Sequence, residues 1–213
     1  MKKFDRRSFL KTSSLSAAAI ASTSLLSSCV EPKVASKGIY MGGFAAPKID
    51  YLRAAFIGVG ARGGSHLRVV ASMDNTEVVA VCDLYEDHVN RWTKIASDIG
   101  KGERHQKAAA YFGDENLWEK MLEEVKPDVV FIATNWDNHA PMVIEAMKKG
   151  AHAFVEVPIA KTLEDMWEIV RTSEETQKHC MMMENVNYGR DELMYLNMCR
   201  KGVIGELLHA EAA

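Results

Sequence analysis

A glycine-rich segment with an acid downstream is the pattern of clearest chemical meaning in this sequence. Gly58-Val59-Gly60-Ala61-Arg62-Gly63 directly follows the apolar run Leu52–Ile57 and precedes a stretch compatible with a helix. Its three glycines would permit a tight turn, the close approach of a pyrophosphate and close packing of helix on strand. Asp83 ends the next apolar run, 25 residues after Gly58, where a carboxylate binds ribose hydroxyls and repels a 2′-phosphate. The pattern predicts a dinucleotide site that takes NAD rather than NADP.

Two alternatives remain open for this segment. A glycine-rich turn can occur without a ligand, with Asp83 merely solvated. Arg62 adds a second ambiguity, because a guanidinium in the loop can pair with a pyrophosphate or with a 2′-phosphate. The context favours the dinucleotide site, since strand, glycines, helix and acid occur in the required order.

Three further polar segments follow apolar runs, and ligands of parallel sheets bind beyond the carboxyl ends of strands. They are Thr134-Asn135-Trp136-Asp137-Asn138-His139-Ala140-Pro141, Glu156-Val157-Pro158 and Glu184-Asn185-Val186-Asn187-Tyr188. Together with the glycine-rich segment, their order resembles the Gfo/Idh/MocA oxidoreductase family. The run His179-Cys180-Met181-Met182-Met183 before the last segment, with Leu196-Asn197-Met198 after it, more closely resembles glycoside hydrolase family 109, the NAD-dependent α-N-acetylgalactosaminidases. The resemblance extends from Tyr51 to Ala213.

The resemblance implies roles for individual residues. It implies that NAD contacts the glycine-rich segment, Asp83 and a set of residues at strand ends: Trp136, Asp137, Asn138, His139, Glu156, Val157 and Asn185. It also implies that Tyr188 transfers a proton at the sugar. Structural roles are the alternative, because Trp136 can simply pack, His139 can belong to a first helical turn, and Tyr188 can be a buried aromatic residue.

The sequence departs from the wider family at Val157. Those enzymes usually carry Glu-Lys-Pro, whose lysine assists proton transfer at the reacting alcohol, whereas this chain has Glu156-Val157-Pro158. Valine cannot relay a proton, so plain alcohol dehydrogenation is disfavoured. The glycosidase subgroup resembles this sequence in having Glu-Val-Pro.

The elements that must position these residues are indicated by short apolar runs. The runs are continuous rather than alternating, which predicts parallel strands covered on both faces: Leu52–Ile57, Val78–Cys82, Val129–Ala133, Ala153–Val155 and Cys180–Met183. Two helices are predicted between them. Asn138 caps one that contains Pro141, and Thr162 caps another whose apolar face is Leu163, Met166, Trp167 and Val170. The alternation predicts an α/β fold, a Rossmann-type doubly wound parallel sheet over residues 51–187.

The first 28 residues have the layout of an export signal, with a basic start and an apolar, small-residue middle. Arg6-Arg7-Ser8-Phe9-Leu10-Lys11 resembles the twin-arginine motif, and Leu26-Ser27-Ser28-Cys29 resembles a lipobox whose cysteine is lipidated. We therefore expect the twin-arginine export machinery as a partner, residues 29–50 as a tether, and a periplasmic or cell-surface lipoprotein of a bacterium. An ordinary secretory signal and a chance cysteine are the alternatives.

The two halves of the sequence together constrain the reaction. No NAD(H) pool is maintained outside the cytoplasm, so an exported enzyme must keep its NAD and return the hydride within each cycle. The resemblance implies such a redox-neutral reaction: C3 oxidation of a terminal α-N-acetylgalactosaminide, elimination, water addition and re-reduction. An exported sugar or polyol oxidoreductase and a non-catalytic glycan-binding lipoprotein are the alternatives, and Val157 disfavours the first.

Composition excludes other classes of protein. The 213 residues are 47% hydrophobic and 26% charged, which is ordinary for a folded domain. The net charge of −3 divides into +4 on residues 1–28, with five basic residues and one acid, and −7 on the rest. An acidic body without a basic stripe predicts no nucleic-acid partner. The four cysteines form no C-x-x-C pair, and we expect no metal site.

The last residues indicate a second domain. Residues 188–213 are predicted to begin a truncated α+β sheet domain, with Gly205–Ala213 as a turn and a first strand. In the resembled family that domain supplies the substrate wall and further catalytic residues. We therefore expect this chain to hold NAD but to be inactive alone, and a homo-oligomer is compatible with the resemblance.

Overall fold

The computed structural model of the protein describes residues 39–100 and 107–211. The predicted signal peptide and Cys29 lie outside these residues. Within them, the strands are β1 (Leu52–Ile57), β2 (Thr76–Asp83), β3 (Ala109–Phe112), β4 (Val129–Ile132), β5 (His152–Glu156) and β6 (Cys180–Met183). The helices are α1 (Ala61–Ala71), α2 (Glu86–Ile99), α3 (Leu117–Val125), α4 (Trp136–Lys148), α5 (Leu163–Thr176) and α6 (Arg190–Arg200).

The strands form one parallel sheet in the order β3-β2-β1-β4-β5-β6. This is the order of a Rossmann fold, so the predicted fold class is confirmed. The order reverses between β1 and β4, which leaves a crevice at the carboxyl ends of these strands. All five predicted strands are present, and β3 is the strand that the sequence did not reveal. Its four residues, Ala-Ala-Tyr-Phe, are apolar, but half of them are alanine, which is depleted in strands, so the run gives only a weak strand signal.

Alternate residues of the strands enter two separate cores. Ala54 and Phe56 of β1 pack with α1 and α2 on one face of the sheet. Ala55 and Ile57 pack with α3, α4 and α5 on the other. Full burial of a large apolar side chain such as Phe56 or Ile57 contributes about 1.5–3 kcal/mol. The two cores hold the strand ends, and thus the crevice, in a fixed arrangement.

Both predicted helices are present, but one cap differs from the prediction. Thr162 caps α5 as predicted, since its Oγ1 accepts a hydrogen bond from the Asp165 amide at 3.1 Å. Helix α4 begins earlier than predicted, because Asn135 and not Asn138 is its cap. Asn135 has extended backbone angles, and its Oδ1 accepts from the Asn138 amide at 3.2 Å. Asn138 is therefore already inside the first turn.

The apolar face of α5 and the end of the described chain are both exposed. The predicted apolar face of α5 lies exposed, with Trp167 57% accessible, while Ile169 and Thr172 are the residues that α5 buries. Residues 206–211 contain no strand within the described chain, and the predicted start of a second domain over residues 188–213 stays a prediction.

The described part of the predicted tether, residues 39–50, contains no helix or strand. It nevertheless contacts the folded body. The Ala46 amide donates to His179 Nε2 at 3.2 Å, and Gln177 Nε2 donates to the Ile39 carbonyl at 3.1 Å. Among the helices of the described ranges, none combines the length and apolar character needed to cross a bilayer.

Candidate functional site

A cavity of about 340 Å³ opens at the carboxyl edge of the sheet, where β1, β2 and β4 end. Four of the residues predicted from the sequence lie on its wall: Gly58, Gly60, Asp83 and Asn138. The cavity thus lies where the strand order reverses, which is the position of the ligand in doubly wound sheets.

The turn after β1 is shaped by backbone contacts that only glycine permits. Gly58 has φ +79°, and a Cβ on it would lie 2.5 Å from the Ala133 carbonyl oxygen. A Cβ on Gly63 would overlap the carbonyl oxygen of Gly58. Gly60 differs from both, because nothing lies within 4 Å of where its Cβ would be. The turn is closed on the protein side and open at Gly60.

The open position coincides with the start of α1. Gly60 is the N-cap residue of this helix, and no side chain caps it. The first amides of a helix lack backbone acceptors and attract anions. The free amides at the start of α1 and the open space at Gly60 therefore fit a pyrophosphate. The residues present thus suit a dinucleotide.

Asp83 is held rigidly beside this turn. Its Oδ2 accepts a hydrogen bond from the Val59 amide at 2.7 Å, and its Oδ1 accepts one from the Tyr85 amide at 3.1 Å. Nδ1 of His88 lies 3.4 Å from Oδ1. A carboxylate has about four acceptor positions, so Asp83 retains capacity for ribose hydroxyls.

The rest of the cavity wall combines acids with apolar surface. Asp114 and Glu115 add two carboxylates to that of Asp83, which disfavours a 2′-phosphate. Trp118 and Met142 supply apolar surface suited to a base. Cys82 also lines the cavity. Burial, and to a smaller extent the charge of the adjacent Asp83, raises the pKa of its thiol to about 12, so the thiol stays neutral.

A second cluster lies at the end of β5. Nε2 of His66 is 2.6 Å and Nε of Arg62 is 3.2 Å from Oε1 of Glu156, which is largely buried. Arg62 therefore pairs on the β5 side of the turn, whereas Asp83 lies at the end of β2. The placement of Arg62 therefore favours contact with the pyrophosphate over recognition of a 2′-phosphate on the adenosine ribose.

His139 lies inside the protein. Its side chain is buried, with Nδ1 2.7 Å from the Pro158 carbonyl oxygen and Nε2 3.2 Å from that of Thr134. The ring joins the loops that follow β4 and β5 and is not on the cavity wall. A contact between His139 and a dinucleotide stays a prediction.

The remaining predicted residues occupy the same edge of the sheet outside the cavity wall. Trp136 is exposed, and Asp137 pairs with Lys161 at 2.5 Å on the surface. Val157 is exposed directly after β5. Asn185 is exposed and Tyr188 is 70% accessible in the loop after β6, so the described chain does not bring them to the cavity. Ala61 is exposed at the start of α1.

Several residues of the site were missed by the sequence analysis. His66 lies on the helix that follows the glycines, but its partner Glu156 is 90 residues away, so only the fold joins them. His88 and Trp118 reach the cavity from α2 and α3. Trp118 was missed together with β3, the strand that precedes α3 and that the sequence analysis did not identify.

Comparisons with known proteins agree with this geometry. The sequence profile of Gfo/Idh/MocA, an oxidoreductase family with an NAD-binding Rossmann fold, matches residues 52–184. Glycosyl hydrolase family 109 protein 1 of Akkermansia muciniphila is 52% identical over 175 residues, which cover 82% of this chain and 36% of that protein. Family 109 protein 2 of the same organism is 49% identical over 224 residues, covering 98% and 46%. The chain thus spans less than half the length of either relative.

Solved structures share the fold. The scyllo-inositol dehydrogenase of Lactobacillus casei, crystallised with NAD(H) and scyllo-inositol, superposes with a TM-score of 0.63. The match covers 73% of this chain and 42% of that one at 16% sequence identity. At this identity the comparison shows a common fold and carries no information about the substrate.

Proposed function

The chain belongs to the Gfo/Idh/MocA oxidoreductase family and has its NAD-binding Rossmann fold, and on this premise we propose that it provides the NAD site of an enzyme that hydrolyses terminal α-N-acetylgalactosaminides. Relatives named glycosyl hydrolase family 109 support a glycosidase-like function that depends on NAD. The observation that favours a glycosidase over a dehydrogenase is Val157, directly after β5, because a valine cannot transfer a proton where the wider family usually has lysine.

The residues of the chain would hold three parts of the cofactor. The open turn at Gly60 and the start of α1 would receive the pyrophosphate, and Asp83 would bind the adenosine ribose. Trp118 and Met142 would line the base. When bound, NAD supplies a hydride acceptor for C3 of the sugar and later returns the hydride, so the whole reaction is redox neutral.

The proton transfers are assigned to the protein. A ketone at C3 acidifies the C2 proton, and we assign its removal to Tyr188, whose exposed position after β6 leaves the phenol free to meet a sugar. Loss of that proton breaks the C1–O bond, and the departing oxygen takes up a proton. Water then adds at C1 while a proton returns to C2. No pair of carboxylates across the glycosidic bond is needed.

The test uses a chimera because the relatives are more than twice as long as the matched segment. This chain, joined to the part of the 49% identical Akkermansia muciniphila protein that the match leaves uncovered, is incubated in D₂O with a chromogenic α-N-acetylgalactosaminide and no added NAD. We expect release of the chromophore with deuterium at C2 and no net NADH. The chain alone, without that part, should show no release.

Three results would decide against the proposal. Chromophore release without deuterium at C2 excludes the elimination. Formation of NADH in an amount proportional to the enzyme, without release of the chromophore, identifies an oxidoreductase. Unchanged release by Tyr188→Phe in the chimera removes Tyr188 from the mechanism, while the unmodified chimera serves as its control.

We also propose that the protein is exported through the twin-arginine route and anchored by lipid at Cys29, which rests on the sequence motifs alone. Replacement of Arg6-Arg7 by Lys-Lys should retain the protein in the cytoplasm. Cys29→Ser should release it from the membrane fraction without stopping export. Export that continues after the double substitution shows an ordinary secretory route.

A further inference from the structure

Glu156 is the last residue of β5, and two basic side chains of one helix contact its carboxylate. His66 and Arg62 both come from α1, 90 and 94 residues earlier in the chain. Strand β4 lies between β1, which leads into α1, and β5. The cluster therefore crosses β4 and joins the helix after the glycine turn to the far side of the crevice.

The two basic partners are not equivalent. Nε2 of His66 approaches Oε1 of Glu156 to 2.6 Å and its side chain is 27% exposed, whereas Arg62 is 3.2 Å away and 52% exposed. A carboxylate as buried as that of Glu156 needs hydrogen-bond donors to offset its lost hydration. The shorter and more shielded contact fixes it best, so His66 is the main restraint on Glu156.

The location of Glu156 gives this restraint a functional meaning. In doubly wound folds a dinucleotide lies across the crevice, with one nucleotide on each half of the sheet. Asp83, at the end of β2, marks the adenosine half. Glu156, at the end of β5, lies on the half that remains for the nicotinamide nucleotide.

We propose that His66 is a positioning residue for the nicotinamide half of NAD. Through Glu156 it fixes the end of β5, and with it Val157, relative to the helix that receives the pyrophosphate. The inference rests on the NAD binding that belongs to the proposed function and not on the sugar chemistry. It assigns His66 no contact with the sugar.

The test compares two ligands that differ only in the nicotinamide. Binding of NAD and of ADP-ribose to the full 213-residue chain is measured by calorimetry for the wild type and for His66→Ala. We expect NAD to bind about tenfold more weakly and ADP-ribose to change less than about twofold, because the variant loses a hydrogen bond to a charged group on one side only. His66→Gln, which keeps a donor for Glu156, should recover NAD affinity to within about threefold.

A same-helix control separates positioning from general damage to α1. Arg68→Ala removes a side chain that lies over Trp92 at 5.9 Å, and it should leave the ratio of the two affinities unchanged. Equal weakening of NAD and ADP-ribose in His66→Ala would show a merely structural role and overturn the inference, as would unchanged binding of both. A wild-type chain that binds ADP-ribose but not NAD would instead contradict the proposed function, and the inference with it.

Discussion

At the residue scale, Gly60 and Gly63 lie in one turn but differ in the space available for a side chain. Gly63 faces the carbonyl of Gly58, whereas the space beside Gly60 is open. The first glycine is therefore free to serve a ligand, and the second is required by the fold. Substitution by alanine should separate these two roles.

We predict that Gly60→Ala keeps the melting temperature within about 2 °C of wild type and weakens NAD binding at least about tenfold, since the methyl group occupies the space of the pyrophosphate. Gly63→Ala should lower the melting temperature by about 3–10 °C, because its Cβ overlaps backbone. Calorimetry measures both quantities. Normal NAD binding by Gly60→Ala would place the pyrophosphate elsewhere.

The charge of Asp83 should set the preference between NAD and NADP. Asp83→Asn keeps an oxygen for the Val59 amide but removes the negative charge beside the ribose. We expect the ratio of the NADP to the NAD dissociation constant to fall about tenfold, measured by fluorescence titration. Asp98→Asn makes the same chemical change on the exposed side of α2, and its ratio should equal that of the wild type. Equal ratios in both variants would contradict the role of Asp83.

At the element scale, the start of β5 is linked to the segment before β6 through His152. Its Nδ1 accepts a hydrogen bond from the His179 amide at 2.9 Å. Burial lowers the pKa of His152, nearby Lys178 and His179 add to this effect, and Asp128 opposes it. These effects favour the neutral ring in the folded protein, which is the form that its acceptor role requires.

This arrangement predicts a loss of stability in acid. In the unfolded chain a histidine takes up a proton near pH 6.5. As pH falls below that value, the unfolded state binds a proton that the folded state resists, so the free energy of unfolding decreases. His152→Asn keeps an acceptor for the His179 amide and should show a smaller decrease between about pH 7.5 and pH 5.5 in urea titrations. Identical slopes for both proteins would exclude His152 as a source of the dependence.

The elements also show how far sequence alone leads. Strands β1 and β6 were predicted to the residue because their continuous apolar runs have no competing pattern. Strand β3 was missed, since its short apolar run is half alanine, which is depleted in strands. The glycine turn and Asp83 were identified because they are local to consecutive elements. The contact between His66 and Glu156 was not, because it depends on the strand order, which brings distant residues together.

At the scale of the whole molecule, the proposed export and the proposed chemistry depend on each other. A protein that leaves the cytoplasm with NAD must hold it firmly, and a cycle that returns the hydride never needs a fresh cofactor. The described chain supplies groups for the cofactor at the carboxyl edge, but of the candidate sugar contacts it contains only Tyr188, which lies exposed and outside the cavity wall. NAD and sugar should therefore act very differently on this chain.

Thermal unfolding makes that difference measurable. A ligand at about 100 times its dissociation constant stabilises the native state by about 2.7 kcal/mol, which for a chain of this size raises the melting temperature by about 5–10 °C. We expect this shift with NAD, a smaller one with NADP at the same concentration, and none with N-acetylgalactosamine. The chimera that adds the uncovered part of the relative is the control, and it should respond to the sugar when NAD is present. A sugar-induced shift in the chain alone, independent of NAD, would favour a glycan-binding lipoprotein, because one exposed tyrosine cannot supply a sugar site that stabilises the fold.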